Sequence, residues 1–192
     1  RARQVAPTTG RFLFALAGYG AKAGLAPMHS WLPDAYSQAP TPVAALMSTA
    51  LLATTLSALL RFFAITAACA GSAWPGGLLA LFGALSMGMA TPFLLVQGEY
   101  KRLLAYSSIE HAGLVTLAIG FGTPLAVFGG LFHLLVQSFA KALAFLLGGT
   151  IGRAARSRRM DHFAGVLEAS PALGALLAVA GIGLVGLPPA RT

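Results

Sequence analysis

The chain consists of long apolar segments that alternate with short polar stretches. A bilayer core about 30 Å thick needs about 20 apolar residues per helix, and several segments reach that length. We therefore predict about six transmembrane helices. The first runs from about 12 to 28 and less regularly on to 34, the second from after 42 to near 61, the third from 76 to 97, the fourth from 103 to 120, the fifth from 124 to 152, and the sixth from 171 to about 189.

Composition supports the same fold class, an all-α integral membrane protein. Of the 192 residues, 57% are apolar and 9% are charged, whereas a soluble domain carries about 25% charged residues. A net charge of +8 is compatible with nucleic acid as a partner. However, the basic residues lie between apolar segments and not along one stripe, so we predict no nucleic-acid partner. The single cysteine, Cys69, excludes an internal disulfide and a cysteine-ligated cluster.

The distribution of basic residues predicts the orientation in the membrane. With six segments, the loops on one side carry Arg1, Arg3, Arg11 and Arg61, and those on the other carry Lys101, Arg102, Arg153, Arg156, Arg158 and Arg159. The stretch of residues 153–159 is the densest of these loops. The positive-inside rule therefore places it in the cytoplasm and the start of the chain on the outer face.

Lys22 is a charge within the first apolar segment. It follows Arg11 by eleven residues, which corresponds to about 16 Å along a helix and places it near the middle of the membrane. A lysine there costs on the order of 2.5–3.5 kcal/mol, which favours a functional role over snorkelling to an interface. Gly24 and Pro27 follow closely, so we expect the helix to be broken beside Lys22. A broken membrane helix exposes backbone groups that need a cavity or an ion site.

The fifth segment carries three polar residues at regular spacing. His133, Gln137 and Lys141 are four residues apart, so they line one helix face over roughly 12 Å. Such a row of groups that hold, donate or accept protons suits proton conduction. The alternative is that the three residues join neighbouring helices by hydrogen bonds, typically contributing under about 1–2 kcal/mol each. A lysine is a poor choice for that purpose, so we favour a proton path.

The fourth segment carries a carboxylate and an imidazole about two turns inside, Glu110 and His111. Glu110 either pairs with a lysine of another helix or traps protons at an entrance to the membrane. It is equally suited to a structural ion pair with Arg102, and the sequence does not decide between these interpretations.

Three blocks of sequence resemble one known family. They are KAGLAPMHSWLPDA (residues 22–35) with APTPV (39–43), KRLLAYSSIEHAG (101–113), and HLLVQSFAKALAFL (133–146). The chain is similar in these blocks to the proton-antiporter domain shared by complex I subunits, Mrp-type sodium/proton antiporters and group 4 hydrogenases. The Glu110-His111 pair most resembles hydrogenase-4 component F, because complex I subunits usually have a serine in place of the glutamate.

The resemblance implies about fourteen helices with two inverted five-helix repeats, each with one broken helix. Lys22 matches the lysine on the broken helix of the first repeat, and His133 and Lys141 match members of a central hydrophilic axis. Gln137 stands where some relatives have histidine, and Ala53 where respiratory members commonly have lysine or histidine.

Two functional positions of the family are expected outside this sequence. The glutamate that pairs with the Lys22 position is expected upstream of Arg1, and the ionisable residue of the second broken helix beyond Thr192. Residues 1–192 are thus expected to be the central part of the transmembrane domain. The polar end, residues 190–192, departs from the apolar continuation that the family has there.

The function implied is a proton- or sodium-translocating subunit of a redox-driven complex, of the membrane-bound hydrogenase or NADH:quinone oxidoreductase type. Its partners would be other membrane subunits and a peripheral redox arm, in the lipid bilayer of a bacterial or archaeal inner membrane. The sequence shows no metal-ligand spacing, nucleophile constellation or phosphate-binding loop, so we predict no catalytic residue, cofactor or metal site. One alternative is an Mrp-type antiporter driven by ion gradients alone, and another is a purely structural membrane subunit.

Overall fold

The computed structural model describes residues 2–163, 168 and 170–185, with side chains from residue 9 onward. The predicted end of the sixth segment and the polar residues 190–192 lie outside this part. The helices are α1 (Ala2–Ala23), α2 (Trp31–Gln38), α3 (Thr41–Leu46), a π-helical turn (Met47–Leu51), α4 (Leu52–Ala70), α5 (Ala73–Val96), α6 (Tyr100–Phe121), α7 (Pro124–Ala154), a 3-10 turn (Met160–His162) and α8 (Pro171–Val185).

Four helices in the described part are long and apolar enough to cross a membrane. They are Thr41–Ala70, which joins α3, the π turn and α4, followed by Ala73–Val96, Tyr100–Phe121 and Pro124–Ala154. Two further predicted segments are also helical. The first becomes α1 and α2, and the sixth becomes α8, of which 15 apolar residues are described. The prediction of an all-α integral membrane protein is confirmed.

The predicted break after Lys22 is present. Helix α1 ends at Ala23, and the chain turns at Gly24, whose φ of 77° lies in the left-handed region that favours glycine. The indole Nε1 of Trp31 donates a hydrogen bond to the carbonyl of Ala21 at 2.8 Å, which ties the start of α2 to the end of α1. The first apolar segment is therefore two helices joined by a compact turn.

The predicted end of the second segment near Arg61 is wrong. The helix continues to Ala70 and ends at Gly71, which has a φ of 86°. The nine residues that follow Arg61 are mostly apolar, and Arg61 itself is exposed on the helix surface. One arginine on an exposed face does not terminate a helix, because its long side chain reaches polar surroundings while the backbone bonds persist.

Helix α6 lies at the centre of the described part and packs against α5, α7 and α2. It approaches α5 closely because glycines face each other: a Cβ on Gly83 would lie 2.6 Å from the carbonyl oxygen of Gly113. On its other side α6 meets α7. The two helices that carry most of the predicted polar residues are thus direct neighbours.

Candidate functional site

The polar row of α7, defined as His133, Gln137 and Lys141, faces α6. Gln137 and Lys141 are fully buried, and His133 is half-buried. Both hydrogen bonds that the row makes to another helix end on α6. Spacing by four residues places the three side chains on one helix face, as predicted, and the packing of α6 on α7 buries that face.

Lys141 is held by a serine of α6. Its Nζ lies 2.6 Å from the Oγ of Ser108, and that hydroxyl in turn donates to the carbonyl of Leu104 at 2.9 Å. A lysine ammonium has three donors, so this contact satisfies one of them. In the described part of the chain no carboxylate forms an ion pair with Lys141.

The two histidines form a hydrogen-bonded pair across the helix interface. The Nε2 of His133 lies 3.0 Å from the Nδ1 of His111, with the ring centroids 5.0 Å apart. At this distance one nitrogen carries the proton and the other accepts it. A hydrogen bond of this kind can pass a proton from one ring to the other, so the pair is chemically suited to link α7 and α6. Sequence reasoning named both residues but did not predict that they would touch.

Gln137 lies between the histidine pair and Lys141 along α7. Both polar atoms of its side-chain amide are buried, and neither has a hydrogen-bond partner among the described residues. Buried polar groups in proteins are almost always hydrogen-bonded, to protein or to ordered water. An amide both donates and accepts, so it suits a chain of water molecules that links the residues one turn above and one turn below.

Glu110 faces a cavity of about 530 Å³ that α5, α6, α7 and α8 line together. His111 and His133 lie on the wall of the same cavity, with Ser107 beside them. The cavity thus brings a half-buried carboxylate to the edge of the histidine pair.

The sequence left open whether Glu110 forms a structural ion pair with Arg102, and the structure does not contain that pair. Arg102 instead pairs with Asp34 of α2, at 2.5 Å between Nη2 and Oδ1. Glu110 is therefore left to the cavity, which favours the interpretation that it acts on protons or on a lysine.

Lys22 does not join this cluster. It lies in the last turn of α1 and is exposed, and no residue in the described part accepts a hydrogen bond from it. Ala53, which the resemblance places at a common lysine or histidine position, lines a shallow groove with Arg61 on the surface of α4. The described side chains do not form a continuous chain of hydrogen bonds from Lys22 to the polar row.

Ser108 is the residue of the candidate site that sequence reasoning did not single out. A usable signal was present: Ser108 precedes His111 by three residues, and residues at that spacing share one face of a helix. Among the described residues, no group of three or more histidine, cysteine or acidic side chains is arranged to hold a metal ion.

Comparison with known proteins assigns the chain to a family. The family described as "NADH:quinone oxidoreductase/Mrp antiporter, TM" matches residues 3–192. A hydrogenase-4 component F homolog from Methylacidiphilum infernorum is 39% identical over 178 residues, covering 93% of this chain and 37% of the relative. The resemblance to hydrogenase-4 component F is confirmed.

Similarity to solved structures supports the same family assignment. A chain of respiratory complex I from Thermus thermophilus is 40% identical with a TM-score of 0.71, covering 91% of this chain and 37% of that one. A chain of an archaeal membrane-bound sulfane sulfur reductase is 30% identical with a TM-score of 0.80, covering 89% and 35%. This chain spans little more than a third of the length of these relatives. Because the match extends over nearly all of its residues, the chain belongs to the NADH:quinone oxidoreductase/Mrp antiporter transmembrane family.

Proposed function

We propose that this chain is part of a proton-translocating subunit of a redox-driven membrane complex. The observation that carries the proposal is the buried contact of Lys141 with Ser108, next to the hydrogen-bonded pair of His111 and His133. These groups gain and lose protons, whereas Na⁺ as a hard cation prefers oxygen ligands. Protons are therefore favoured over sodium ions.

The residues present support a definite order along the path. Glu110 collects a proton from the cavity, the histidine pair transfers it from one helix to the other, and Gln137 orders the water that carries it to Lys141. Moving a carboxylate toward or away from a buried lysine changes whether the charged form is favoured. Such a movement is how an electron-transfer reaction elsewhere in a complex would drive this path. The place of Lys22 at the other end rests on the family resemblance alone.

The partners we propose are other membrane subunits and a peripheral redox arm, in the inner membrane of a bacterium or archaeon. The similarity to subunits of hydrogenase-4, complex I and the sulfane sulfur reductase supports this assignment. The second candidate is an Mrp-type sodium/proton antiporter, which the description of the family includes. Neighbouring genes separate the two: nickel–iron hydrogenase or quinone-oxidoreductase genes favour the first, and small antiporter subunits favour the second.

Replacement of Lys141 tests the proposal. In the full-length protein within its complex, Lys141→Met keeps the volume and the apolar stem but removes the group that titrates. We expect the complex to assemble and electron transfer to an artificial acceptor to persist, while proton uptake into vesicles falls by about tenfold or more. Lys141→Arg should also fail, since a guanidinium does not deprotonate in proteins. If either variant pumps at the wild-type proton-to-electron ratio, Lys141 only joins helices and the path is wrong.

Native Cys69 gives an internal control for the proposed orientation. The helix Thr41–Ala70 has 30 residues and begins beside the end of α7, so Cys69 near its far end lies roughly 40 Å from the 153–159 loop. In intact cells an impermeant thiol reagent should label Cys69 but not the cysteine of an Arg156→Cys variant. Inverted vesicles should show the reverse, and labelling of the Arg156→Cys site from outside would overturn the orientation.

A further inference from the structure

A second cavity lies at the end of the bundle where α6 begins and α7 ends. Its volume is about 200 Å³, and three basic side chains line it: Lys101, Arg153 and Arg158. One water molecule occupies about 30 Å³ in the liquid, so the space admits a group of several heavy atoms. We call it the basic cavity. It is distinct from the cavity of Glu110 and the histidines, with which it shares no lining residue.

Glycines of α7 create the close packing around this space. A Cβ on Gly148 would overlap the ring of Tyr100, and a Cβ on Gly149 would overlap Thr41. Helices α6 and α3 therefore approach the backbone of α7 directly, and Gly152 leaves the last turn open toward the cavity. The rings of Tyr100 and Phe163, with centroids 5.3 Å apart, supply an apolar wall.

Backbone hydrogen bonds hold the basic loop beside the cavity. The amide of Tyr100 donates to the carbonyl of Arg158 at 3.2 Å, and the amide of Met160 donates to the carbonyl of Gly98 at 3.1 Å. This short antiparallel bridge ties residues 158–160 to the start of α6. Arg158 is thus placed by its main chain, whereas Arg159 is turned to the surface, where it pairs with Asp161 at 2.9 Å.

The charge in the cavity is not balanced by the described residues that line it. They include three cations and no carboxylate, and Arg158 and Arg153 are near enough to repel the ammonium of Lys101. Lys101 donates one hydrogen bond to the carbonyl of Ala39 at 2.9 Å, which leaves two of its three donors free for another acceptor. Three like charges around one space are stabilised when an anion fills it.

We propose that the basic cavity binds a phosphate group, with the headgroup of an anionic phospholipid as its source. Two guanidinium groups and an ammonium match phosphate oxygens by charge and by hydrogen-bond geometry. The cavity lies at the ends of membrane-spanning helices, where headgroups lie, and basic pockets between such helices bind anionic headgroups. The apolar wall of Tyr100 and Phe163 suits the part of a lipid next to its phosphate. Free phosphate has the same chemistry and is the other source to be tested.

Retention of lipid by the purified complex tests this proposal independently of proton transport. Arg158→Gln and Arg153→Gln each remove one charge from the cavity, while Arg156→Gln removes one from the same loop at a residue that does not line the cavity. All three arginines are exposed, so the variants are matched in exposure. Anionic phospholipid bound per complex is measured by mass spectrometry after purification in mild detergent. The two cavity variants should retain about tenfold less at limiting lipid. Arg156→Gln should match the wild type, and Arg158→Lys should retain most of the lipid.

Inorganic phosphate distinguishes the two sources. With delipidated complex, phosphate should raise the thermal midpoint of the wild type and of Arg156→Gln but not of Arg158→Gln. If that pattern appears while lipid retention is equal in all variants, the cavity binds free phosphate and lipid is the wrong source. If neither lipid retention nor the phosphate effect depends on Arg153 and Arg158, the proposal is overturned. It is equally overturned if these variants lose a neighbouring subunit with their bound lipid unchanged.

Discussion

Two lysines, Lys22 and Lys141, occupy regions of opposite character. Lys141 is fully buried between two continuous helices and is hydrogen-bonded to Ser108. Lys22 is exposed at the end of a helix that stops one residue later, beside a turn whose geometry depends on Gly24. Lys141 has a hydrogen-bonding partner among the described residues, whereas Lys22 presents its charge outward.

The difference reflects how each region satisfies its polar groups. Buried polar atoms need partners, and a pair of unbroken helices supplies only side chains for that purpose. A broken helix also exposes backbone groups, which have to be satisfied by whatever packs against them. Substitutions at the α6–α7 interface therefore test contacts within this chain. Substitutions at Lys22 also affect whatever packs against the broken helix. Substitutions in each region test this difference.

Gln137→Leu should separate transport from stability in the buried region. Both polar atoms of the amide lack a protein partner among the described residues, so in the proposed path water satisfies them. Leucine has a similar volume and replaces the amide together with that water, so the thermal midpoint of the complex should change little. Proton uptake per electron should fall several-fold, because a leucine cannot order water between His133 and Lys141.

Gln137→His is the matched control for that experiment. Histidine both donates and accepts protons, so it should keep most of the proton uptake. If Gln137→Leu instead lowers stability and leaves the proton-to-electron ratio unchanged, the amide is a structural link between helices. The buried region would then not be a proton path at this position.

The helices and their polar faces followed from the sequence, whereas the partners across helices did not. Spacing by four residues was enough to place His133, Gln137 and Lys141 on one face. The contact of Lys141 with Ser108 joins residues 33 apart, and that of Arg102 with Asp34 joins residues 68 apart. Local periodicity says which face of a helix is polar, but only tertiary packing decides which residue meets it.

Of two helix ends predicted from the sequence, the one after Lys22 was right and the one near Arg61 was wrong, and both outcomes have a physical reason. A glycine and a nearby proline predicted the break after Lys22, since glycine adopts the left-handed backbone at no steric cost. Arg61 wrongly suggested the end of a helix that continues to Ala70. A charged side chain on a lipid or solvent face leaves the backbone hydrogen bonds intact, so it does not end a helix as glycine does at residue 71.

Two glycines in the first apolar segment test the broken region. Gly24 has a φ of 77°, and a Cβ there would overlap Leu32, whereas Gly18 is helical and exposed, and a Cβ there would have nothing within 4 Å. Gly24→Ala should therefore destabilise the protein by more than about 1 kcal/mol. Gly18→Ala should stabilise it by about 0.5–1 kcal/mol. Thermal unfolding of the purified complex checks both, and equal midpoints would mean that the turn does not constrain the backbone at Gly24.

The ion pair of Asp34 with Arg102 connects the two regions, because it joins α2 to the start of α6. Its side chains are 67% and 40% exposed, and exposed pairs contribute about 0.2–1 kcal/mol, less at high salt. Asp34→Asn should therefore change the thermal midpoint only slightly and leave the proton-to-electron ratio unchanged. A double-mutant cycle with Arg102→Gln, at low and high salt, measures the interaction. If Asp34→Asn instead lowers proton uptake as strongly as Lys141→Met, the broken helix and the buried row act as one unit. The regions of the two lysines would then be coupled, and this ion pair would connect them.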